Sequence, residues 1–218
     1  MPRKNVKLLI DKPLIAHGIE TLLASDVVDR VVVATEDKEI AEIAKIHGAE
    51  IVTISEELAN GTTEPVMLFA LETLEKEGYR PDFVSLMQCT SPFVTPEIVQ
   101  QVVKKVCEGN DFDSCITVFK PTGYEFKWRA GENGLFIPEH DVNNRPRRQF
   151  LNLPHHENGA FYITRTELLK KTKNRFGGNE ARITAVEMSE EDSLQIDTPY
   201  NFWLAERLME TRKKKKNF

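Results

Sequence analysis

Hydrophobic positions along this chain switch between helical and strand spacing. Leu14, Ile15, Ile19, Leu22 and Leu23 follow Lys12-Pro13 at helical intervals and predict a helix ending near Ser25. Arg30-Val-Val-Val-Ala-Thr35 is a β-branched run long enough for a buried strand. Glu36-Asp37 then supplies N-terminal charge to a helix with Ile40, Ile43, Ala44 and Ile46 on one face, which Gly48 ends. Ile51–Ile54 predicts a short strand, and Thr62-Thr63 a cap for a helix over 64–77 with Pro65 in its first turn. Asp82–Gln88 is the next strand, followed by the loop Cys89-Thr-Ser-Pro92. Thr95-Pro96-Glu97 opens a helix carrying Ile98, Val102, Val103 and Val106, and Ser114–Phe119 is again a strand.

Strands separated by helices predict a parallel, doubly wound α/β sheet. Between Lys120 and Pro154 the periodicity stops. That proline-rich stretch is too long for a simple connection and is expected to be an insertion, either a small β subdomain or a dimerisation arm. Alternation resumes with the turn dipeptide Asn158-Gly159 and the strand Ala160–Ile163. A helix near 167–171, a strand over 183–188 and a final helix opened by Thr198-Pro199 complete a single domain over 1–218.

Composition narrows the classes. The chain has 218 residues, 40% hydrophobic and 29% charged, enough to bury a core without disulfides or structural metal. A net charge of −5 gives no bulk attraction to nucleic acid. Cys89, Cys107 and Cys115 lack zinc or CxxC spacing and are expected as buried thiols of a reducing compartment. No apolar run is long enough to span a membrane. Lys213–Lys216 fits the end of a helix, where cations suit the dipole, although a nuclear address or a phosphate-seeking patch uses the same residues.

Candidate chemistry gathers in a few polar stretches. Arg145, Arg147, Arg148 and Gln149 lie within five residues; their planar donor forks suit carboxylate or phosphate, though a solvated basic turn has the same composition. Thr35-Glu36-Asp37 and Gln88-Cys-Thr-Ser91 stand at the carboxyl ends of predicted strands, where open parallel sheets bind ligands. Gln88 carries both donors and an acceptor, able to read a base or sugar edge. Asp197 precedes a helix, where it is either a capping acid or a hard oxygen ligand for Mg²⁺.

Several of these stretches together resemble the acylneuraminate cytidylyltransferases, the CMP-N-acetylneuraminic acid synthetases. They are Pro2–Lys7, Lys12–Ile15, Arg30–Asp37, Gln88–Pro92, Arg145–Gln149, Glu157–Tyr162, and Ile196–Thr198 with Ala205-Glu206, in that family's order. The resemblance implies a Rossmann-like nucleotidyltransferase with a mostly parallel sheet. A β-rich dimerisation insertion at about 120–154 would swap onto the partner of a homodimer or a dimer of dimers. It implies that CTP and an N-acylneuraminate give CMP-N-acylneuraminate and pyrophosphate, with Mg²⁺ as cofactor, in the cytoplasm or, in a eukaryote, the nucleus. By family position, catalysis is expected from Lys4 at phosphate, Arg147 at the sugar or nucleotide, and Asp197 at the metal, with Gln195 as a second oxygen donor. Substrate contacts are expected from Asn5, Gln88, Arg145, Arg148, Gln149, Asn158 and Tyr162.

The chain departs from that pattern in places. It begins at the family's Pro-x-Lys-Asn motif, without the preceding strand and glycine-rich loop, so Met1 is expected to lie inside a longer protein and a central strand to be missing. Ile54 stands at a usual arginine, Val94 near another, Gln195 at a usual aspartate, and Asn60–Pro65 differs from the usual Asp-Thr-Ala-Ser. These departures leave two further expectations: a non-catalytic relative binding nucleotide or sialic acid, or a cytidylyltransferase for another nonulosonic acid.

Overall fold

The computed structural model describes residues 1–108, 111–122, 126–144, 147 and 153–216; side chains are described to residue 214. A 3-10 turn over Lys4–Val6 leads into a tight antiparallel pair, β1 (Leu8–Leu9) and β2 (Lys12–Pro13), turned by Ile10 at φ +65°. That conformation is strained for a β-branched residue. Helix α1 (Leu14–Ala24) follows, then β3 (Val32–Thr35), α2 (Lys38–Ile46) and β4 (Glu50–Thr53).

Asp37 caps α2 by accepting from the backbone N–H groups of Glu39 and Ile40 at 2.8 and 3.1 Å. Those bonds, with the Arg3 guanidinium, hold its carboxyl below the usual range. Gly48, at φ +92°, terminates the turn after α2, where a Cβ would also press on Leu23.

A short helix α3 (Glu56–Ala59), capped by Ser55, precedes α4 (Thr63–Lys76) and was hidden by its brevity. Next come β5 (Phe83–Met87), α5 (Pro96–Cys107) and β6 (Ser114–Phe119). Thr62 and Thr95 hold the capping positions, but neither side chain makes the capping hydrogen bond expected of it. The hairpin β7 (Trp128–Ala130) and β8 (Phe136–Pro138) occupies the aperiodic stretch. The chain closes with β9 (His156–Arg165), α6 (Thr166–Thr172), β10 (Ile183–Met188) and α7 (Pro199–Lys216).

The larger sheet has the order β10-β6-β9-β5. β10 and β6 are parallel, with Ile183 opposite Ser114, and β9 runs antiparallel to both β6 and β5. Three strands therefore share one direction and β9 opposes them. An excursion returning to the neighbouring position without a crossover helix permits this. β3 and β4 form a separate parallel pair with no ladder to β5 among the described residues.

Asn158-Gly159 does not make a turn. It lies inside β9, where the register against β6 shifts between Ile116 and Val118, and Gly159 takes φ +67°. A positive φ at glycine within a strand is the means of bulging it, so the dipeptide bends a long strand rather than opening a short one.

Packing follows the patterns above. Val99, Val102 and Val106 of α5 cover Cys115, Phe161, Ile163, Val186 and Met188. α1 bridges the two sheet pieces: Ile15 and Ile19 pack with Val31, Ala44 and Ala49, while Gly18 lies against Met87. Leu9, Leu14, Phe93, Ile196, Phe202 and Ala205 join the N-terminal hairpin to α7. Each fully buried Val, Leu, Ile, Phe or Met among them contributes about 1.5–3 kcal/mol.

Candidate active site at the carboxyl end of β5

Four segments far apart in sequence meet beyond the end of β5. The loop after β5 is tied to the segment before α7 by the Ile196 N–H, which donates to the Thr90 carbonyl at 2.8 Å. Ile196 itself is fully buried, so it anchors the segment and places Asp197 at the surface, 61% exposed. The 3-10 turn supplies the third wall. Lys4 Nζ donates to the Ile196 carbonyl at 3.1 Å and to Asp197 Oδ1 at 2.9 Å. Beside it, the Cys89 thiol donates to Asn5 Oδ1 at 3.2 Å. Burial pushes the Cys89 thiol up, against the opposing influence of Lys4, so it stays a protonated donor.

The fourth wall is the bulge of β9. Gln88 N–H donates to the Ala160 carbonyl at 3.0 Å, extending the β5–β9 ladder to the loop. Gln195 Nε2 donates to the Asn158 carbonyl at 2.6 Å, and a Cβ on Gly159 would collide with that amide. Glycine is thus required both by φ and by the close approach of Gln195.

Lys4, Asn5, Gln88, Gln195 and Asp197 are brought together in this way. Arg147 is exposed, and Arg145, Arg148 and Gln149 lie outside the described residues. Two expected substrate contacts are corrected. Asn158 is 4% exposed, and its side chain is spent internally. Its Oδ1 accepts from Thr117 Oγ1 at 2.6 Å and from Ala160 N–H at 3.1 Å, while Nδ2 donates to Ser193 Oγ at 3.0 Å and to Met188 Sδ. It shapes the bulge instead of touching a ligand. Tyr162 is 3% exposed; its hydroxyl donates to Glu157, and its ring meets Phe176 edge-on with Arg175 above it. Burial, then Glu157, raises its ionisation well above the usual range, so it is a neutral packed phenol. Arg175 is held in turn by Glu64 at 2.7 Å.

The donor set fits a hard divalent cation. Asp197 offers a carboxylate, and Gln195, its nitrogen committed to Asn158, keeps an amide oxygen; one or two such ligands with phosphate and water suffice for Mg²⁺. Among the described residues no group of three His, Cys, Asp or Glu converges, so protein atoms alone offer no full coordination shell. No helix of the described residues is long and apolar enough to cross a membrane.

Sequence reasoning missed the parts that set this geometry. Cys89, expected only as a buried thiol, bonds Asn5 from its place directly after Gln88, and Cys107 is exposed rather than buried as expected. Thr117 and Ser193 gave no local signal, because they act through contacts with distant Asn158 and, for Thr117, with the Phe161 backbone.

Comparison with known proteins agrees with this architecture. A family model described as cytidylyltransferase matches residues 1–133. N-acylneuraminate cytidylyltransferase A of Danio rerio is 29% identical over 211 residues, covering 95% of this chain and 47% of the relative. The chain thus spans about half the length of that protein. CMP-N,N'-diacetyllegionaminic acid synthase of Legionella pneumophila is 30% identical over 227 residues, covering 96% of this chain and 90% of the relative. Among solved structures, CMP:2-keto-3-deoxy-manno-octonic acid synthetase complexed with CTP superposes with a TM-score of 0.71. It covers 97% of this chain and 93% of that one at 16% identity, a likeness of fold.

Proposed function

We propose, from the premise that this chain belongs to the cytidylyltransferase family, that it transfers CMP from CTP to a nonulosonic acid, N-acylneuraminate first among the candidates, and releases pyrophosphate. The observation that carries the reading is the meeting of Lys4, Asn5, Gln88 and Asp197 at one strand end. Nucleotidyl transfer needs positioning and charge neutralisation more than covalent chemistry, and these are the groups that provide both. Lys4 would neutralise triphosphate oxygens, and Asn5 would orient the nucleotide. Gln88 would hold the sugar so that its anomeric hydroxyl faces the α-phosphorus, and Arg147, donated across a dimer, would stabilise the charge that develops. Asp197 and Gln195 would hold Mg²⁺, which when bound supplies further neutralisation of the phosphates.

Relatives named for acylneuraminate and for diacetyllegionaminic acid match this chain at 29% and 30% identity, so the sugar is chosen by experiment. Pyrophosphate release is measured with CTP, Mg²⁺ and each nonulosonic acid in turn, with EDTA as the control. Release with N-acetylneuraminate that EDTA abolishes supports the reading. Release with a different nonulosonic acid alone reassigns the sugar, and no release with any of them overturns the enzymatic reading.

Gln195 favours a second reading, a ligand-binding relative without turnover: beside Asp197 it offers a neutral amide, so the pair brings one negative charge to a cation where two carboxylates would bring two. Calorimetry showing tight binding of a CMP-sugar by a folded chain that releases no pyrophosphate supports it.

A further inference from the structure

Lys4 and Asp197 are the two charged groups that the proposed reaction would use on opposite partners, one on phosphate and one on the cation. In the ligand-free chain they are bonded to each other at 2.9 Å, and Lys4 also donates to the Ile196 carbonyl at 3.1 Å. Lys4 is 25% exposed and Asp197 61% exposed, so water reaches the pair. Pairs in such surroundings are weak and readily exchanged. The backbone on each side is held: Ile196 is fully buried and tied to Thr90, while the Lys4 carbonyl accepts from the Lys7 N–H at 3.2 Å and the Lys7 carbonyl from the N–H of buried Leu14 at 2.9 Å. The two side chains are therefore free to move on a framework that is not.

We infer that the Lys4–Asp197 ion pair is a built-in latch that withholds Lys4 from the nucleotide until Asp197 is engaged elsewhere, making nucleotide and divalent cation bind synergistically. The inference rests on the proposed CTP site and concerns how that site is filled. With two of its three N–H groups committed to Ile196 and Asp197, and its charge shared with the carboxylate, Lys4 has less to offer a triphosphate. Neutralising Asp197 removes the competitor, so the contribution of Lys4 to nucleotide affinity rises. A cation on Asp197 has the same consequence.

The test is a double-mutant cycle on CTP affinity in metal-free buffer containing EDTA, read by calorimetry. Lys4→Met and Asp197→Asn are made singly and together, and both sites are open enough to tolerate the changes. Removing the Asp197 charge strengthens binding of an anion whatever the geometry, so the cycle rather than the single variant decides. With the latch, Lys4→Met weakens CTP by no more than about threefold in the wild-type background and by about tenfold or more beside Asp197→Asn. With Mg²⁺ added, the wild-type loss grows to match the larger one. Equal losses in the two backgrounds, within about twofold, overturn the latch while leaving the CTP site standing. Absence of CTP binding by every variant, with and without Mg²⁺, overturns the site and the latch together.

Discussion

Replacing Asn158 by alanine separates a residue that shapes the site from one that touches substrate. The side chain is 4% exposed and satisfies four neighbours, two on each end of its amide. Asn158→Ala leaves the buried Ala160 N–H without its acceptor, a desolvation cost of about 1–3 kcal/mol. The bonds to Thr117 and Ser193 are lost as well, each worth about 0.5–1.5 kcal/mol net. Taking middle values gives roughly 4 kcal/mol, a large part of a domain's usual margin of about 5–15 kcal/mol. For a chain of this size that corresponds to a fall in Tm of roughly 8–16 °C. Differential scanning calorimetry reads it, with Ser193→Ala, which removes one of the four partners and leaves Asn158 its other three, expected to fall by less. A change below about 3 °C, accompanied by a higher KM for sugar, would refute the structural role and restore Asn158 as a ligand contact.

Gly159→Ala is expected to cost about 1–3 kcal/mol in urea unfolding, from positive φ and displacement of Gln195; an unchanged midpoint counts against the required close approach. Asp113 has its ionisation held below the usual carboxylate range by the Arg182 side chain, then by the Arg182 backbone N–H. A carboxyl lowered in the folded state contributes stability above its unfolded pKa and loses it as pH falls through the folded one. The Tm gap between wild type and Asp113→Asn should therefore be constant from about pH 7 to 5 and close below about pH 4. A gap that widens on acidification contradicts the pairing. Trp128, Leu135 and Phe136 of the β7–β8 hairpin are 53%, 68% and 65% exposed, and we expect this arm to bury them in a homodimer. Light scattering should show Trp128→Ser/Phe136→Ser with half the wild-type mass, whereas a monomeric wild type refutes the arm.

Local pattern was enough for most of the elements and for several of the chemical residues. The apolar faces of α1, α2 and α5, and the β-branched runs that became β3 and β6, are recorded in spacing alone, because burial of one face forces the period. Gln88 and Asp197 stand out as polar groups at a predicted strand end and helix start, whereas Lys4 is named only through the family resemblance. Tertiary structure alone decided the direction of β9, since antiparallel pairing with β5 and β6 leaves no mark on a strand buried on both faces. It also turned Asn158-Gly159 from a turn into a bulge and moved Asn158 and Tyr162 from ligand wall to interior. Their neighbours Thr117, Ser193, Glu157 and Arg175 are supplied by segments that only folding brings close. The Lys4–Asp197 contact spans 193 positions, and no local pattern encodes a separation of that kind.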